Sequence, residues 1–184
     1  FSGALNMDNP TSASQFTVMG TLRWREGSSA FANTQTQIAV YGDFVIEPGA
    51  NVNFVDNEIL FLGNTPSTLE IRSPACSLPH ITLSKDNSHV SLSSATTDDL
   101  VVNGLFYIHP NSTFYGYSPF KTILRGNLSV QGQFMANTGT TEFQCFQHSH
   151  LLMGTGSFFR HLNINGFDTL TLQTPVEVRG NLSF

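Results

Sequence analysis

Charge is scarce in this sequence, and its scarcity excludes partners that depend on it. Only 11% of the residues are charged, against about 25% in average soluble proteins. The 8 Lys and Arg residues are outnumbered by 13 Asp and Glu residues, which leaves a net charge of −5. Because such a surface repels a phosphate backbone, we expect no nucleic-acid partner.

The chain also lacks long apolar runs and cysteine motifs. Its unbroken apolar runs, such as Ile59 to Leu62, are far too short to cross a bilayer, so we expect no membrane span. The two cysteines, Cys76 and Cys145, form no CxxC pair, and no histidines stand at zinc-finger spacing. We therefore expect no structural zinc and no cofactor.

A helical period is missing as well. No window of a dozen residues sustains a 3.6-residue apolar period, and apolar residues alternate with polar ones instead. This alternation is typical of strands with one buried face. The abundance of Ser, Thr and Asn, together with 16 Phe, suits strands and turns. The sequence therefore predicts an all-β protein.

One motif recurs along the chain: apolar, any residue, Gly, any residue, apolar, any residue, apolar. Two copies read LRGNLSV and VRGNLSF, and intervals of about 22 residues alternate with longer ones. The central glycine indicates a bend or a close backbone approach where one strand turns into the next. We favour this structural role of the glycines over a role in ligand binding, because no GxGxxG sequence that opens a helix is present. The five central glycines are Gly20, Gly42, Gly104, Gly126 and Gly180.

Strand repeats of this length fit either hairpins or the coils of a solenoid. Hairpins need tight two-residue turns, whereas most connections here are longer and the repeats run head to tail. Residues 1–184 are therefore predicted to form a single right-handed parallel β-helix, a β-solenoid of about eight coils that are each about 4.8 Å high. A β-sandwich is the alternative.

The coil spacing also predicts the state of the cysteines. Cys76 and Cys145 are about three coils apart, which separates them by roughly 14 Å along the axis. A disulfide requires Cα atoms closer than about 7 Å. Unless irregular loops bring them together, we expect two free thiols.

Parallel β-helices can host polysaccharide lyases and glycosidases, but the residues for such chemistry are not clustered in this sequence. Asp98 and Asp99 are the only adjacent Asp pair, and no Gly-His-Gly or Arg-x-Lys sequence follows them. Asp56 and Glu58 have no Lys nearby in sequence to act as a base. We interpret the Asp pair as a solvated turn and expect no catalytic residue.

Two histidines are separated by one residue, so on a strand both rings would project from the same face. A transition metal can be held by such a pair, but the sequence shows no third ligand beside His148 and His150. We therefore interpret them as surface histidines and expect no metal site.

The segment from Phe114 to Phe120 reads FYGYSPF and places four aromatic residues across a Gly and a Pro. Alternation along a strand turns some of these rings inward and leaves others outward, where a flat ring can stack on a sugar face. The candidate glycan-binding residues are Tyr115 and Tyr117.

The last third of the chain resembles a repeat of very large secreted surface proteins of the Bacteroidota, in which "GNL", "GTTxF" and "GSGxxxFxNLxI" strands follow one another. The matching residues are Gly126 to Val130, Thr140 to Phe143, Gly154 to Gly156, Phe158 to Ile164 and Val178 to Phe184.

This resemblance implies a β-helical segment of an adhesin-like protein that is extracellular, at the cell surface, and handled by the bacterial secretion and surface-attachment machinery. We also expect a fragment of a longer chain, since Phe1 is not an initiator Met and Val178 to Phe184 completes a strand motif. The alternatives are a β-helical polysaccharide lyase or glycosidase with its site outside the fragment, and a receptor binder resembling a phage tailspike.

Overall fold

The computed structural model describes residues 4–6, 15–27, 29–32, 37–54, 56–74, 76–117, 119–166 and 168–184. These residues form strands and turns, with no α-helix among them. In particular, the described part of the chain offers no helix with the length and apolarity needed to cross a membrane. The predicted all-β class is confirmed.

The strands are β1 (Ala4–Asn6), β2 (Gln15–Val18), β3 (Leu22–Trp24), β4 (Ser29–Ala32), β5 (Gln37–Val40), β6 (Phe44–Ile46), β7 (Asn51–Phe54), β8 (Glu58–Gly63), β9 (Ser67–Ile71), β10 (His80–Lys85), β11 (Ser88–Leu92), β12 (Leu100–Val102), β13 (Phe106–Ile108), β14 (Ser112–Gly116), β15 (Thr122–Leu124), β16 (Leu128–Val130), β17 (Gln133–Ala136), β18 (Thr140–Cys145), β19 (Ser149–Leu152), β20 (His161–Gly166), β21 (Leu170–Leu172) and β22 (Leu182–Ser183).

The strands stack into long parallel sheets that the chain visits in rotation. An eight-stranded sheet has the order β2-β5-β8-β10-β13-β16-β19-β21, and a six-stranded sheet has the order β17-β14-β11-β9-β6-β3. The third side consists of a three-stranded sheet, β1-β4-β7, and a five-stranded sheet, β12-β15-β18-β20-β22. In the coil between β9 and β10 this side has a single bridge, from Leu78 to Val102.

Parallel pairing decides between the two predicted architectures. Every strand pair within the described residues is parallel, and each partner lies one coil further along the chain. A β-sandwich is instead built from antiparallel sheets. The predicted parallel β-helix is therefore confirmed, and the sandwich alternative is wrong.

Inward side chains form columns along the rod. In the eight-stranded sheet one column contains Ile59, Ile81, Phe106, Leu128 and Leu151, each at most 1% exposed. Because strands in register lie about 4.8 Å apart, each of these side chains packs on the same position of the next coil. The alternation read from the sequence thus becomes a continuous apolar core.

Phenylalanine rings fill much of that core in the second half of the chain. The ring centroid of Phe114 lies 5.0 Å from that of Phe106 and 5.3 Å from that of Phe134. Phe134 in turn contacts Phe159 at 5.3 Å. Such pairs contribute about 0.5–1.5 kcal/mol each beyond their buried area. The high Phe content therefore serves the interior.

Except for Gly20, the motif glycines lie where one coil rests on the backbone of the preceding coil. A Cβ added to Gly42 would lie 2.8 Å from the carbonyl carbon of Gly20, and one added to Gly126 would lie 2.8 Å from that of Gly104. Real Cβ atoms do not approach other heavy atoms so closely. The repeated motif therefore marks close backbone contacts at one corner of the solenoid, as the sequence predicted.

Two histidines at equivalent places in the repeat complete this corner. Nδ1 of His80 accepts a hydrogen bond from the backbone N–H of Leu105 at 2.9 Å, and Nδ1 of His161 accepts one from that of Asn181 at 3.1 Å. A Cβ on Gly104 would overlap the His80 ring. Histidine in one coil and glycine in the next are therefore packing partners.

Replacing Gly126 by alanine is expected to lower the free energy of unfolding by about 3 kcal/mol, because backbone atoms of the preceding coil would have to move. Gly20→Ala is the matched control, since a Cβ there meets nothing within 4 Å. The control should change stability by less than about 0.5 kcal/mol. Urea unfolding followed by circular dichroism measures both variants, and equal losses would contradict the stacking account.

Candidate functional site

The aromatic segment is divided between the core and the surface by the alternation of β14. Phe114 is fully buried, the neighbouring Tyr115 is half-buried on the outer face, and Gly116 is buried again. Tyr117, just after the strand, is 42% exposed. The sequence prediction that some rings turn inward and others outward is confirmed, and both candidate tyrosines lie on the outside of the six-stranded sheet.

Tyr115 lies at one edge of a groove on the corner between the eight-stranded and six-stranded sheets. Its ring makes a T-shaped contact with His89 of the preceding coil, with centroids 5.1 Å apart. The groove has a volume of about 490 Å³ and includes Asn87, Asn111 and Gln133 in its lining. We call it the corner groove.

The asparagines of the corner groove are positioned by two stacked turns. Asn87 and Asn111 have φ values of 51° and 64°, in the left-handed region that asparagine tolerates better than most residues. The residues that follow them, Ser88 and Ser112, are partners in adjacent strands. Turn geometry and register therefore present two amide groups on successive coils beside Tyr115.

A second groove lies on the other side of Tyr115. It has a volume of about 450 Å³ and is lined by Thr68, Ser91, Ser93, Tyr117 and Phe120, among others. Ser91 is the strand partner of Tyr115, so the two grooves are adjacent. We call this one the end groove.

Both grooves are built for hydrogen bonding and ring contact, not for ionic recognition. None of the described residues that line them is Asp, Glu, Lys or Arg. Amide and hydroxyl side chains can donate and accept hydrogen bonds, as sugar hydroxyls also do. The arrangement can therefore bind a polar, uncharged surface next to an aromatic ring.

The carboxylates considered for catalysis have structural partners. Oδ1 of Asp99 accepts a hydrogen bond from the backbone N–H of Lys121 at 2.8 Å, and Oδ2 of Asp98 accepts one from the Thr97 hydroxyl at 2.9 Å. They lie in the turn that precedes β12. Oε2 of Glu58 accepts from the Gln37 amide at 2.6 Å. These residues are not brought together at one groove.

A charged cluster centred on Glu142 lies on the outer face of the five-stranded sheet. Nζ of Lys121 lies 3.0 Å from Oε2 of Glu142, and the Gln144 amide donates to Oε1 of Glu142 at 2.8 Å. Burial alone would raise the pKa of Glu142, but the hydrogen bonds from Gln144 and Lys121 outweigh it and hold the pKa below its ordinary value. This carboxylate is stabilised in its ionised form and ties adjacent coils together.

The histidine pair is a surface feature of β19 and its preceding turn. The rings of His148 and His150 have centroids 4.6 Å apart, and Nε2 of His148 lies 2.8 Å from the Thr171 hydroxyl. The described residues contain no group of three or more His, Cys, Asp and Glu that could hold a metal ion. The pair therefore stays without a third ligand in this part of the chain.

A buried lysine is the polar feature that the sequence reading missed. Lys85 is 1% exposed, and its Nζ donates to the carbonyl oxygen of Leu62 and to the Ser67 hydroxyl, both at 2.7 Å. Burial lowers the pKa of Lys85, and the nearby charge of Asp43 opposes that shift only in part. The signal was present in the sequence, because Lys85 continues the inward alternation of Ile81 and Leu83.

The cysteines are free, as predicted, and both are buried. Leu78, two residues after Cys76, pairs with β12, and Cys145 ends β18, two strands further along the same sheet. Three strand spacings separate them, or about 14 Å. Burial raises the pKa of Cys76 to about 12 and also raises that of Cys145, where Asp168 adds to the effect.

Comparison of the chain with protein-family models, with curated proteins and with solved structures finds no match. The functional argument therefore depends on the geometry of this chain and on the resemblance carried by its repeat motifs.

Lys85 predicts a pH dependence of stability. Its pKa in the folded state is below the ordinary value of 10.5, so near that pH the Lys85 side chain is more fully protonated in the unfolded chain than in the folded one. The stability of the wild type relative to Lys85→Met should therefore rise as the pH approaches 10.5 from neutrality. Urea unfolding of both proteins at several pH values measures this, and a difference that does not change with pH would contradict it.

Both thiols should resist alkylation in the folded protein, because the thiolate is the reactive form and burial disfavours it. Mass spectrometry after iodoacetamide treatment at pH 8 should show no label on native protein and two labels in denaturant. Thr17→Cys supplies an exposed thiol as a control that reacts in the native state. Fast reaction of Cys76 with iodoacetamide in the native protein would show that this thiol is not buried.

Proposed function

We propose that this chain is a structural and adhesive β-helix segment of a large secreted bacterial surface protein, and that its six-stranded sheet contacts glycans through Tyr115 and Tyr117. The observation that carries the proposal is the pair of outward tyrosines, each of which lines a groove of uncharged polar side chains. The segment has no catalytic activity of its own in this proposal.

Two physical arguments support a glycan as the ligand. Aromatic rings beside hydrogen-bonding groups suit sugars, whose rings carry an apolar face and hydroxyl edges. The sheet beneath is also rigid, because Phe114 and Phe134 pack directly below the strands that carry the tyrosines. A site on such a scaffold loses little conformational freedom on binding.

The proposed location rests on the repeat motifs. The strands from Gly126 to Phe184 resemble repeats of secreted surface proteins, and this resemblance supports an extracellular, cell-surface location with bacterial secretion and surface-attachment machinery as partners. A rod of stacked coils also suits a spacer, since its length grows by about 4.8 Å with every coil. Adhesive contacts can then be displayed along its side.

Glycan binding should depend on the two tyrosines. On a panel of immobilised bacterial and host glycans, the Tyr115→Ala/Tyr117→Ala double variant should bind its best ligand at least about fivefold more weakly, since each lost ring contact costs about 0.5–1.5 kcal/mol. Tyr41→Ala is the matched control, because Tyr41 lines neither groove. The unfolding transition should be unchanged in the double variant, which confirms that the fold is intact.

Two results would contradict this proposal. Unchanged binding by the double variant would place the ligand elsewhere, and turnover of a polysaccharide by the wild type would make the segment an enzyme. A stable trimer in analytical ultracentrifugation would instead favour a tailspike-like assembly.

A further inference from the structure

The corner groove continues into a third groove on the outer face of the eight-stranded sheet. This sheet groove has a volume of about 430 Å³, and its lining includes Tyr107, Asn127, His150 and Gln173. Gln131 lines both the sheet groove and the corner groove, so the two meet at that side chain. The end groove neighbours the corner groove through the strand pair of Ser91 and Tyr115, so the three grooves follow one another around the rod.

We propose that the three grooves form one binding path for an uncharged oligosaccharide, a proposal that rests on the proposed function. The path runs around the rod from Tyr107 past Tyr115 to Tyr117. The backbone from Tyr107 to Tyr117 covers ten residue spacings through β13, β14 and their connections, and is therefore at most about 33 Å long. That length accommodates several sugar rings. Tyr107, which the sequence reading did not select, is the third aromatic contact of the path.

Two of the three tyrosines are held in place by a histidine ring. Tyr107 contacts His109 with centroids 4.5 Å apart, and Tyr115 contacts His89 at 5.1 Å. Rings fixed in this way lose little side-chain freedom when a ligand stacks on them. The tyrosines therefore serve as anchors at separate points along the path.

The charges at and around the path select against acidic glycans. None of the described residues that line the three grooves is Lys or Arg, so a uronic acid or sulfate would lose its hydration without gaining an ionic partner. The charged side chains that are hydrogen-bonded to lining residues are acidic, and one of them, Glu70, is also ion-paired with Arg72 at 2.7 Å. The Asn87 amide donates to Asp86 at 3.0 Å, and the Ser93 hydroxyl donates to Glu70 at 2.9 Å. An uncharged ligand neither loses the hydration of a charged group nor is repelled by these carboxylates.

Amide side chains supply hydrogen bonds in the sheet groove and the corner groove, and serine and threonine hydroxyls supply them in the end groove. Asn127 and Gln173 lie in the sheet groove, Gln131 lies at its junction with the corner groove, and Gln133 lies in the corner groove. Amides present both donors and acceptors, so they can bond to hydroxyl groups of different orientation. The polar contacts are thus distributed over the path and not concentrated at one end.

The test is isothermal titration calorimetry at pH 8 with cello-, malto- and manno-oligosaccharides of two to seven residues, and with oligogalacturonates of the same lengths. At least one uncharged series should bind, with affinity that rises with length, and oligogalacturonates should bind at least tenfold more weakly. Tyr107→Ala should weaken the longest bound oligosaccharide about tenfold and reduce the dependence on length, while Tyr41→Ala leaves both unchanged.

A gain-of-function variant provides an independent readout. Gln133→Arg places a cation in the corner groove and should raise the affinity for oligogalacturonate at least tenfold over wild type.

Equal binding of charged and uncharged series by the wild type would overturn the selectivity. Full affinity in Tyr107→Ala, with binding still lost in Tyr115→Ala, would overturn the path and leave the proposed function intact. Binding of no uncharged series would overturn the inference, and retained panel binding that needs the tyrosines would show that the proposed function stands without it.

Discussion

The structure depends on one constraint: each coil must lie in register on the coil before it, about 4.8 Å away. Backbone hydrogen bonds between parallel strands impose the spacing, and any side chain that keeps two coils further apart breaks several of them together. At the corner where Gly126 rests on Gly104, and Gly42 on Gly20, the constraint leaves no room for a Cβ on Gly126 or Gly42. The glycines of four of the five motifs, all except Gly20, reflect such close contacts with the preceding coil.

The same constraint separates the roles of inner and outer residues. An inward side chain must pack against the side chains at the same position of the adjacent coils, as Phe106 and Leu128 do. An outward side chain is not subject to this packing constraint. Outward residues of successive coils nevertheless become neighbours, because register brings together Ser91 and Tyr115, or Asn87 and Asn111 through the serines that follow them. Residues far apart in sequence therefore form one surface, on which a binding path can run across coils.

Much of the fold could be predicted from the sequence because its determinants are local. Alternation predicts strands, and head-to-tail glycine motifs such as those at Gly104 and Gly126 predict stacked coils; the coil spacing then predicts two free cysteines. The candidate surface was predicted only in part, since alternation places Tyr115 and Tyr117 outside but does not show what lies beside them. Tyr107 and His89 join the surface only through the register of adjacent strands, which no local pattern specifies. The burial of Lys85 is not predicted from the sequence, because lysine is almost never fully buried unless it is paired, and its partners Leu62 and Ser67 lie on the preceding coil.

Distances between spin labels along one outward column test the stacked-coil account most directly. Thr17, Leu60, Ser129 and Leu152 occupy the same register position in the eight-stranded sheet. With Cys76 and Cys145 replaced by alanine, double electron–electron resonance should give about 29 Å between labels at 17 and 152, which are six strand spacings apart. The pair at 17 and 129 should give about 24 Å, and the pair at 60 and 152 about 19 Å. Distances that do not increase with the number of intervening strands would contradict the solenoid.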